Sequence, residues 1–528
     1  MEPDQPLPDL SLPDLPLHGA GEAKPPVPTL TAMLDLAARD AGERVAVRHR
    51  DEALTYAELG RAATALARRL AAEGLAGEVT ALLLPNSIAF VIAYFAALRA
   101  RTAPALANPL YPAAQLEPLL REVGAVAAIC TPDTREMARS LAPRAGLRRV
   151  LCFGEDITLE GLLAEPGEDG ALPAPRPDDV AALLFTGGTT GLPKAVEYDH
   201  GQLLTALRCT DYNWPTRLGG DIWLPIAPFT HVYGFLQGLL GPVRAQAEMV
   251  IPERFKPEHV VDLLARHRVT VFGGGPPAIY AGLLAAPNLA GADLSALRVC
   301  PGGGAPFPME LIERWRRVTG LEIHEGYGMT EMPAISGITA LSGLRPGSVG
   351  RPIPCNTVQV VDAETGRTVL PPGERGEVRF RGPHMMRGYR NRPEETSTVL
   401  RNGFIHTGDI GYLDGDGFLH ITDRKKDVIL VKGFNVYPRE VEEAISLHPR
   451  VAAVGVVGVP DERSGERVVA YVVPVAGEAL DEAEVAAHCA ARLIAYRCPA
   501  DIHIVDRLPL TGAQKLDRKA LRALAQGE

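Results

Sequence analysis

Residues 180–196 constrain this chain more than any other stretch. VAALLF (180–185) is a short apolar run with the length and bounds of a buried strand. TGGTTG (186–191) follows, and Pro193 and Lys194 close the stretch. Its glycines let successive amides turn toward one point, its threonines add hydroxyls, and the lysine adds positive charge. A concavity of backbone N–H groups suits a polyphosphate. The stretch is not the GxxxxGK[ST] loop, because Lys194 stands three residues after Gly191 and no Ser or Thr follows it. Taken alone, the same residues also suit a glycine-rich turn between two strands.

A chain of 528 residues exceeds one ordinary domain, so two or more are expected. Its 46% hydrophobic and 22% charged residues fit a soluble globular protein. The formal charge of −10 argues against a general nucleic-acid binder, while a locally positive cleft for anionic substrates stays compatible with it. The seven cysteines are scattered and never form CxxC, which predicts reduced thiols, a cytoplasmic location and no zinc site. The acidic, proline-rich start is unlike a signal peptide. The longest apolar stretch, 88–98, is too short to span a bilayer, so no membrane span is expected.

Residues 1–28 hold eight prolines and little apolar periodicity, which predicts a disordered leader. Order is expected from Thr29, with Thr31 as the N-cap of a first helix. Strands and helices then alternate, as in parallel α/β structure. After about residue 345 the pattern changes to short strands between Pro/Gly turns, with DGDG (414–417) as a hairpin signal. This predicts a small antiparallel sheet or barrel. From Arg424 a further α+β unit is expected.

Four more stretches combine glycine with polar groups. PGGGAP (301–306) has small residues against which a flat ring can lie, or is a plain loop. EGYGMTE (325–331) places Tyr327 between glycines and adds Thr330 and Glu331. A carboxylate beside phosphates suits Mg²⁺, although Glu331 at a helix start is the alternative. NGFIHTGD (402–409) ends in Asp409, a two-oxygen acceptor for a ribose diol, or forms a Thr-Gly-Asp turn. LPLTGAQKLDRK (508–519) is by itself a basic tail.

As an ordered set, these stretches resemble the adenylate-forming superfamily: acyl-CoA synthetases, peptide-synthetase adenylation domains and firefly luciferase. The resemblance covers 29–528 and extends to LTYAEL (54–59), NPLY (108–111), PFTHVYG (228–234) and DRKKDVILVKGFNVYPREVE (423–442). The last is similar to bacterial fatty-acyl-CoA ligases, whereas LPLT…KLDRKAL is similar to a peptide-synthetase ending. The implied fold is α/β: a large N-terminal domain of two α/β sheets plus a small β-barrel over 29–422, and a small mobile α+β domain over 423–528. Asp423 is the implied hinge.

The resemblance implies an ATP-dependent carboxylic acid–CoA ligase for a fatty or aromatic acid, using ATP, Mg²⁺ and coenzyme A. Thr186, Gly188, Thr189, Thr190 and Lys194 would hold the β- and γ-phosphates. Glu331 would ligate Mg²⁺ and Thr330 would contact the α-phosphate. Gly304, Ala305 and Tyr327 would enclose adenine, and Asp409 and Arg424 would bind the ribose. Lys515 would be the catalytic lysine, with Lys519 as the fallback. Lys432 and Gly433 would face the pantetheine arm, and His231 would stand between acyl pocket and thiol tunnel. Gly273, Gly274 and Gly275 would leave room for a bulky acyl group. A monomer or homodimer is expected.

Four positions depart from the family pattern: Gly187 for Ser, Ala195 for Gly, Leu430 for a lysine of luciferase-like members, and Gln514 for Gly. None removes an essential charge. No acidic residue lies between Pro228 and Phe235 to pair a substrate ammonium, which argues against amino-acid activation. The alternative is an adenylating enzyme that does not use CoA, delivering the acyl group to a carrier protein or to a tailoring reaction.

Overall fold

The computed structural model describes residues 24–165, 172–186, 193–214, 216–305, 307–339, 342–345, 347–432, 434–461, 463–475, 477–510 and 516–526. The chain is anchored before Thr29. Lys24 Nζ meets Asp211 Oδ1 at 2.7 Å and Thr216 Oγ1 at 2.6 Å, and Arg244 meets the other oxygen of the same aspartate at 2.7 Å. The first helix, Leu30–Asp40, is capped by Thr29 rather than Thr31: the Thr29 hydroxyl accepts the N–H of Ala32. Thr55 and Glu58 of LTYAEL form a reciprocal capping box that starts the helix Tyr56–Ala72.

Two α/β sheets form the body. In the first, strands 149–152, 125–130, 79–83, 103–106 and 180–185 run parallel, and 195–199 and 388–389 continue it antiparallel. In the second, 271–273, 222–225, 248–251 and 45–49 run parallel, with 52–55 closing a hairpin. The helix Ile88–Arg99 packs against strands of both sheets and is buried on every side from Ile88 to Leu98. This all-round apolar surface identifies it as a core helix. Phe90 meets Phe229 edge-on at 5.4 Å, Tyr94 meets Phe235 at 5.2 Å, and the Tyr94 hydroxyl donates to the Ala181 carbonyl at 3.1 Å. The strand before the glycine-rich loop is thus held from behind.

A four-stranded sheet (300–303, 323–329, 332–337, 351–352) joins the second sheet through bridges Val271–Val299 and Gly275–Gly302. The antiparallel unit expected after residue 345 consists of strands 357–361, 376–381, 400–401, 404–413 and 419–424. Asp414 forms the anticipated hairpin turn by accepting the N–H groups of Asp416 and Phe418. The C-terminal α+β unit has strands 429–431, 434–436, 451–461, 465–474 and 501–504 with helices 438–446, 482–490 and 518–526.

Glu325 lies on the strand Ile323–Met329, opposite Gly302, and is 6% exposed. Burial pushes its carboxyl from 4.5 up to about 7, partly offset by Arg439 and the Phe307 N–H. The folded protein therefore holds this proton more tightly than the unfolded chain. The resulting stability is fully present below 4.5 and is lost as pH rises through about 7. Glu325→Gln removes that dependence. Urea unfolding across this interval is expected to show the variant gaining on the wild type as pH rises, by up to about 3 kcal/mol.

Candidate active site

The base of the glycine-rich loop is a strand-to-strand turn. Phe185 pairs with Ala195, the Thr186 N–H donates to the Lys194 carbonyl at 2.9 Å, and the Lys194 N–H donates to Thr186 Oγ1 at 3.1 Å. Ala195 is an ordinary buried strand residue whose carbonyl accepts the Arg390 N–H, so the departure from glycine needs no special backbone. Gly187, Gly188, Thr189 and Thr190 lie outside the described residues. The Lys194 ammonium meets Glu395 Oε2 at 2.7 Å and stands 4.9 Å from the centre of the Tyr389 ring.

Thr330 and Glu331 are not at a helix start. Met329 pairs with Met332, so the two residues form the tip of a tight hairpin between 323–329 and 332–337. The Thr330 carbonyl accepts the Tyr198 hydroxyl at 2.8 Å, which ties the tip to the strand after the glycine-rich loop. Glu331 is 8% exposed, and its carboxylate accepts the Tyr389 hydroxyl at 2.6 Å. Burial raises its pKa, opposed by the Tyr389 hydroxyl. A buried carboxylate at a turn, with hydroxyl and carbonyl oxygens around it, is a hard-oxygen donor set that fits Mg²⁺.

Asp409, 4% exposed, is held from two sides. Its Oδ2 accepts the Tyr327 hydroxyl at 2.5 Å and its Oδ1 meets Arg424 Nε at 3.0 Å. The second contact follows from register, because Asp409 and Arg424 are cross-strand partners. Parallel pairing of 300–303 with 323–326 ends at Gly303 opposite Gly326, so Gly304 and Tyr327 leave the same strand ends together. A Cβ at Gly303 would lie 2.8 Å from the Gly326 carbonyl, so the close approach needs glycine there. Gly304 has φ +81°, and Ala305 follows it at the rim. Strand carboxyl ends are where open α/β sheets bind ligands.

Other expected residues lie on neighbouring segments, and the Gly275 carbonyl accepts the Gly303 N–H at 3.2 Å. His231 caps the short helix Val232–Gly234, accepting the Tyr233 N–H at Nδ1. Its segment is pinned by Asn86, which donates to the Ala227 carbonyl and accepts the Phe229 N–H. The glycine triplet differs from expectation at one position. A Cβ on Gly274 would lie 2.8 Å from the Phe272 and Tyr280 rings, so Gly274 makes room for the protein's own rings. Cβ atoms at Gly273 and Gly275 would meet their neighbours at ordinary contact distances. Lys432 is exposed at φ +51°, and its N–H donates to the Ser464 carbonyl. Gly433, Gln514 and Lys515 lie outside the described residues. Leu430 is half-exposed, with its N–H donating to Glu466. Lys519 lies on the helix Arg518–Gln526 and is exposed.

Asp423 joins the last strand of the antiparallel unit to the following helix. One carboxylate oxygen accepts the Arg424 N–H at 2.8 Å, and the other accepts the Arg439 N–H at 2.9 Å in the first turn of Pro438–Ser446. Burial pushes its pKa up to about 6.

Sequence reasoning missed Tyr389, Glu395 and Tyr198. The first two stand in RGYRNRPEET (387–396), whose aromatic residue among alternating charges is a usable signal. Tyr198 looks like any apolar strand residue.

This arrangement is that of a nucleotide-binding enzyme. The AMP-binding enzyme family matches residues 34–390, and the AMP-binding enzyme C-terminal domain matches 440–515. The chain belongs to this family of adenylate-forming enzymes. It is 34% identical to a long-chain-fatty-acid–CoA ligase of Bacillus subtilis (strain 168), covering 94% of each chain. It is 37% identical to a feruloyl-CoA synthase of an Amycolatopsis species, covering 92% of this chain and 96% of the relative. The crystal structure of ATP-bound MatB from Rhodopseudomonas palustris superposes with a TM-score of 0.88 at 30% identity, over 94% of this chain and 99% of that one.

Tyr389→Phe removes the hydroxyl that favours ionised Glu331. The Mg²⁺ concentration needed for half-maximal ATP–pyrophosphate exchange is expected to rise about tenfold to a hundredfold, the worth of one hydrogen bond to a charged group. The acid limb of the pH profile moves upward, because Glu331 then stays protonated to higher pH. An unmoved limb would show that Tyr389 only packs.

Proposed function

We infer that this protein is an ATP-dependent carboxylic acid–CoA ligase acting on a fatty or aromatic acid. The observation that carries the reading is the chain of contacts from Lys194 through Tyr389 to Glu331. It links a cation through one tyrosine to a buried carboxylate at the base of the glycine-rich stretch. In the first half-reaction the substrate carboxylate attacks the α-phosphorus of ATP, giving an acyl-adenylate and pyrophosphate. In the second, the thiol of CoA attacks the acyl carbon and AMP leaves.

The obstacle in the first step is one anion approaching a polyanion, so positive charge and aimed donors must be in place beforehand. Lys194 supplies such a charge. It meets Glu395, and the β- and γ-phosphates would compete with that carboxylate for it. Glu331 is the residue to hold Mg²⁺, which neutralises phosphate charge. Asp409, oriented by Tyr327 and Arg424, accepts the two ribose hydroxyls. Thr186, Gly188, Thr189 and Thr190 supply donors to the departing pyrophosphate, and Thr330 contacts the α-phosphate. Gly304 and Ala305 with Tyr327 border adenine.

Lys515 bridges the carboxylate and the α-phosphate. The unit from Asp423 onward turns about that residue between half-reactions, withdrawing Lys515 and bringing Lys432 and Gly433 toward the pantetheine arm. His231 stands where acyl pocket and thiol tunnel meet. The enzyme works in the cytoplasm, where ATP and CoA are available.

A carboxylic-acid panel with ATP and CoA, read by mass spectrometry, tests the reading. Acyl-CoA thioester and AMP are the expected products. No ATP–pyrophosphate exchange with any acid would contradict adenylation, and acyl-adenylate that accumulates despite CoA would identify a different acceptor. Lys515→Ala is expected to reduce adenylation at least about a hundredfold, the scale of one lost electrostatic group, while thioester formation from supplied acyl-adenylate persists.

A further inference from the structure

Behind the Glu331 hairpin, three soft or borderline ligand atoms converge from parts of the chain far apart in sequence. Cys209 lies on the helix His200–Asn213, Cys355 in the connection after 351–352, and His384 between strands 376–381 and 388–389. Cys209 Sγ is 3.1 Å from Cys355 Sγ and 3.7 Å from His384 Nδ1, and all three atoms lie within 4.8 Å of one another. Cys209 and His384 are fully buried, and Cys355 is half-buried.

The protonation of the histidine is set by its surroundings. Nε2 stands 2.6 Å from the Pro333 carbonyl, an acceptor only, so Nε2 carries the hydrogen. Nδ1 then presents its lone pair to the Cys209 sulfur. Metal-bound histidines are held in this way, with one nitrogen on the ion and the other donating to a carbonyl. From this convergence we propose that Cys209, Cys355 and His384 form a binding site for a thiophilic metal ion, Zn²⁺ in the first instance.

Distances and charge agree with this. A tetrahedral zinc puts a sulfur and a nitrogen ligand about 3.5 Å apart and two sulfurs about 3.7 Å apart. The Cys209–His384 distance of 3.7 Å already matches, and the sulfurs need to part by roughly half an ångström. A disulfide needs them about 1 Å closer and leaves the aimed imidazole nitrogen without a task. Two thiolates, one Zn²⁺ and a neutral imidazole carry no net charge, which suits a buried place. Binding displaces the two thiol protons to solvent.

The site has a defined structural consequence. Gln202, on the same helix as Cys209, donates to the Met385 carbonyl, and the Met386 N–H donates to the Glu331 carbonyl at 2.9 Å. An ion on Cys209 and His384 therefore braces the segment that supports Glu331 from behind. Bound metal acts here as a brace and takes no part in the reaction.

The test is a titration of the reduced full chain with Co²⁺, which has visible and near-ultraviolet transitions that Zn²⁺ lacks. The expected result is a sulfur-to-cobalt charge-transfer band that saturates at one ion per chain, disappears on adding Zn²⁺, and is absent from Cys355→Ser and Cys209→Ser. Zn²⁺ is also expected to raise the thermal midpoint of the wild type and leave that of Cys355→Ser unmoved. Cys355 is half-buried, so its serine variant remains foldable if the Cys209 variant does not. A band that survives in Cys355→Ser overturns the proposal, as does no band at all. So does a Cys209–Cys355 disulfide whose reduction yields no metal uptake.

Discussion

Two carboxylates, Glu331 and Asp409, are almost wholly removed from water, and the arrangement of the site follows from giving them partners there. A buried, unpaired carboxylate is costly enough that it would take up a proton instead. Each is therefore met by a tyrosine hydroxyl, Tyr389 for Glu331 and Tyr327 for Asp409, and Asp409 is also met by Arg424. A carboxylate has more lone pairs than these contacts use, so both retain acceptor capacity.

Meeting that requirement links parts of the chain that are distant in sequence. Tyr389 lies on a two-residue strand added to the edge of the seven-stranded sheet, next to the strand that leaves the glycine-rich turn. Glu331 caps a hairpin of another sheet, and Asp409 and Arg424 belong to the antiparallel unit. The site is thus a junction of three sheets. The fully apolar helix 88–98 holds the seven-stranded sheet against the second α/β sheet, and bridges at Val299 and Gly302 join the Glu331 sheet to the latter. Cross-strand register sets the antiparallel unit. Asp423 connects the junction to the C-terminal unit by accepting the Arg439 N–H, and the Arg375–Glu440 ion pair and the Arg439 guanidinium on the Ile421 carbonyl add to that link.

Much of this was legible in the residues, and the exceptions have physical reasons. The strand before the loop and the Asp414 hairpin each carry a local rule in a few adjacent residues, and each formed as read. The Asp409–Arg424 pair was legible only through the family resemblance, because cross-strand register is not written in either segment alone. Thr31 lost the cap to Thr29 because both hydroxyls compete for the same first turn. Glu331 sits on a hairpin tip rather than a helix start because Met329 and Met332 pair across it. Gly274, read as open space, is covered by Phe272 and Tyr280, which sequence does not reveal. Tyr389 and the Cys209–Cys355–His384 convergence were illegible for the same reason: their meaning is entirely tertiary.

The central claim is that Asp409 is held ready for the ribose of a nucleotide, and a double comparison tests it most directly. ATP and 2′,3′-dideoxy-ATP are titrated with Mg²⁺ into the wild type and into Asp409→Asn by calorimetry. The wild type is expected to bind ATP about tenfold to a hundredfold more tightly than the dideoxy nucleotide, the worth of hydrogen bonds to a charged acceptor. Asp409→Asn is expected to bind the two nearly alike. Equal discrimination by both proteins would contradict the account.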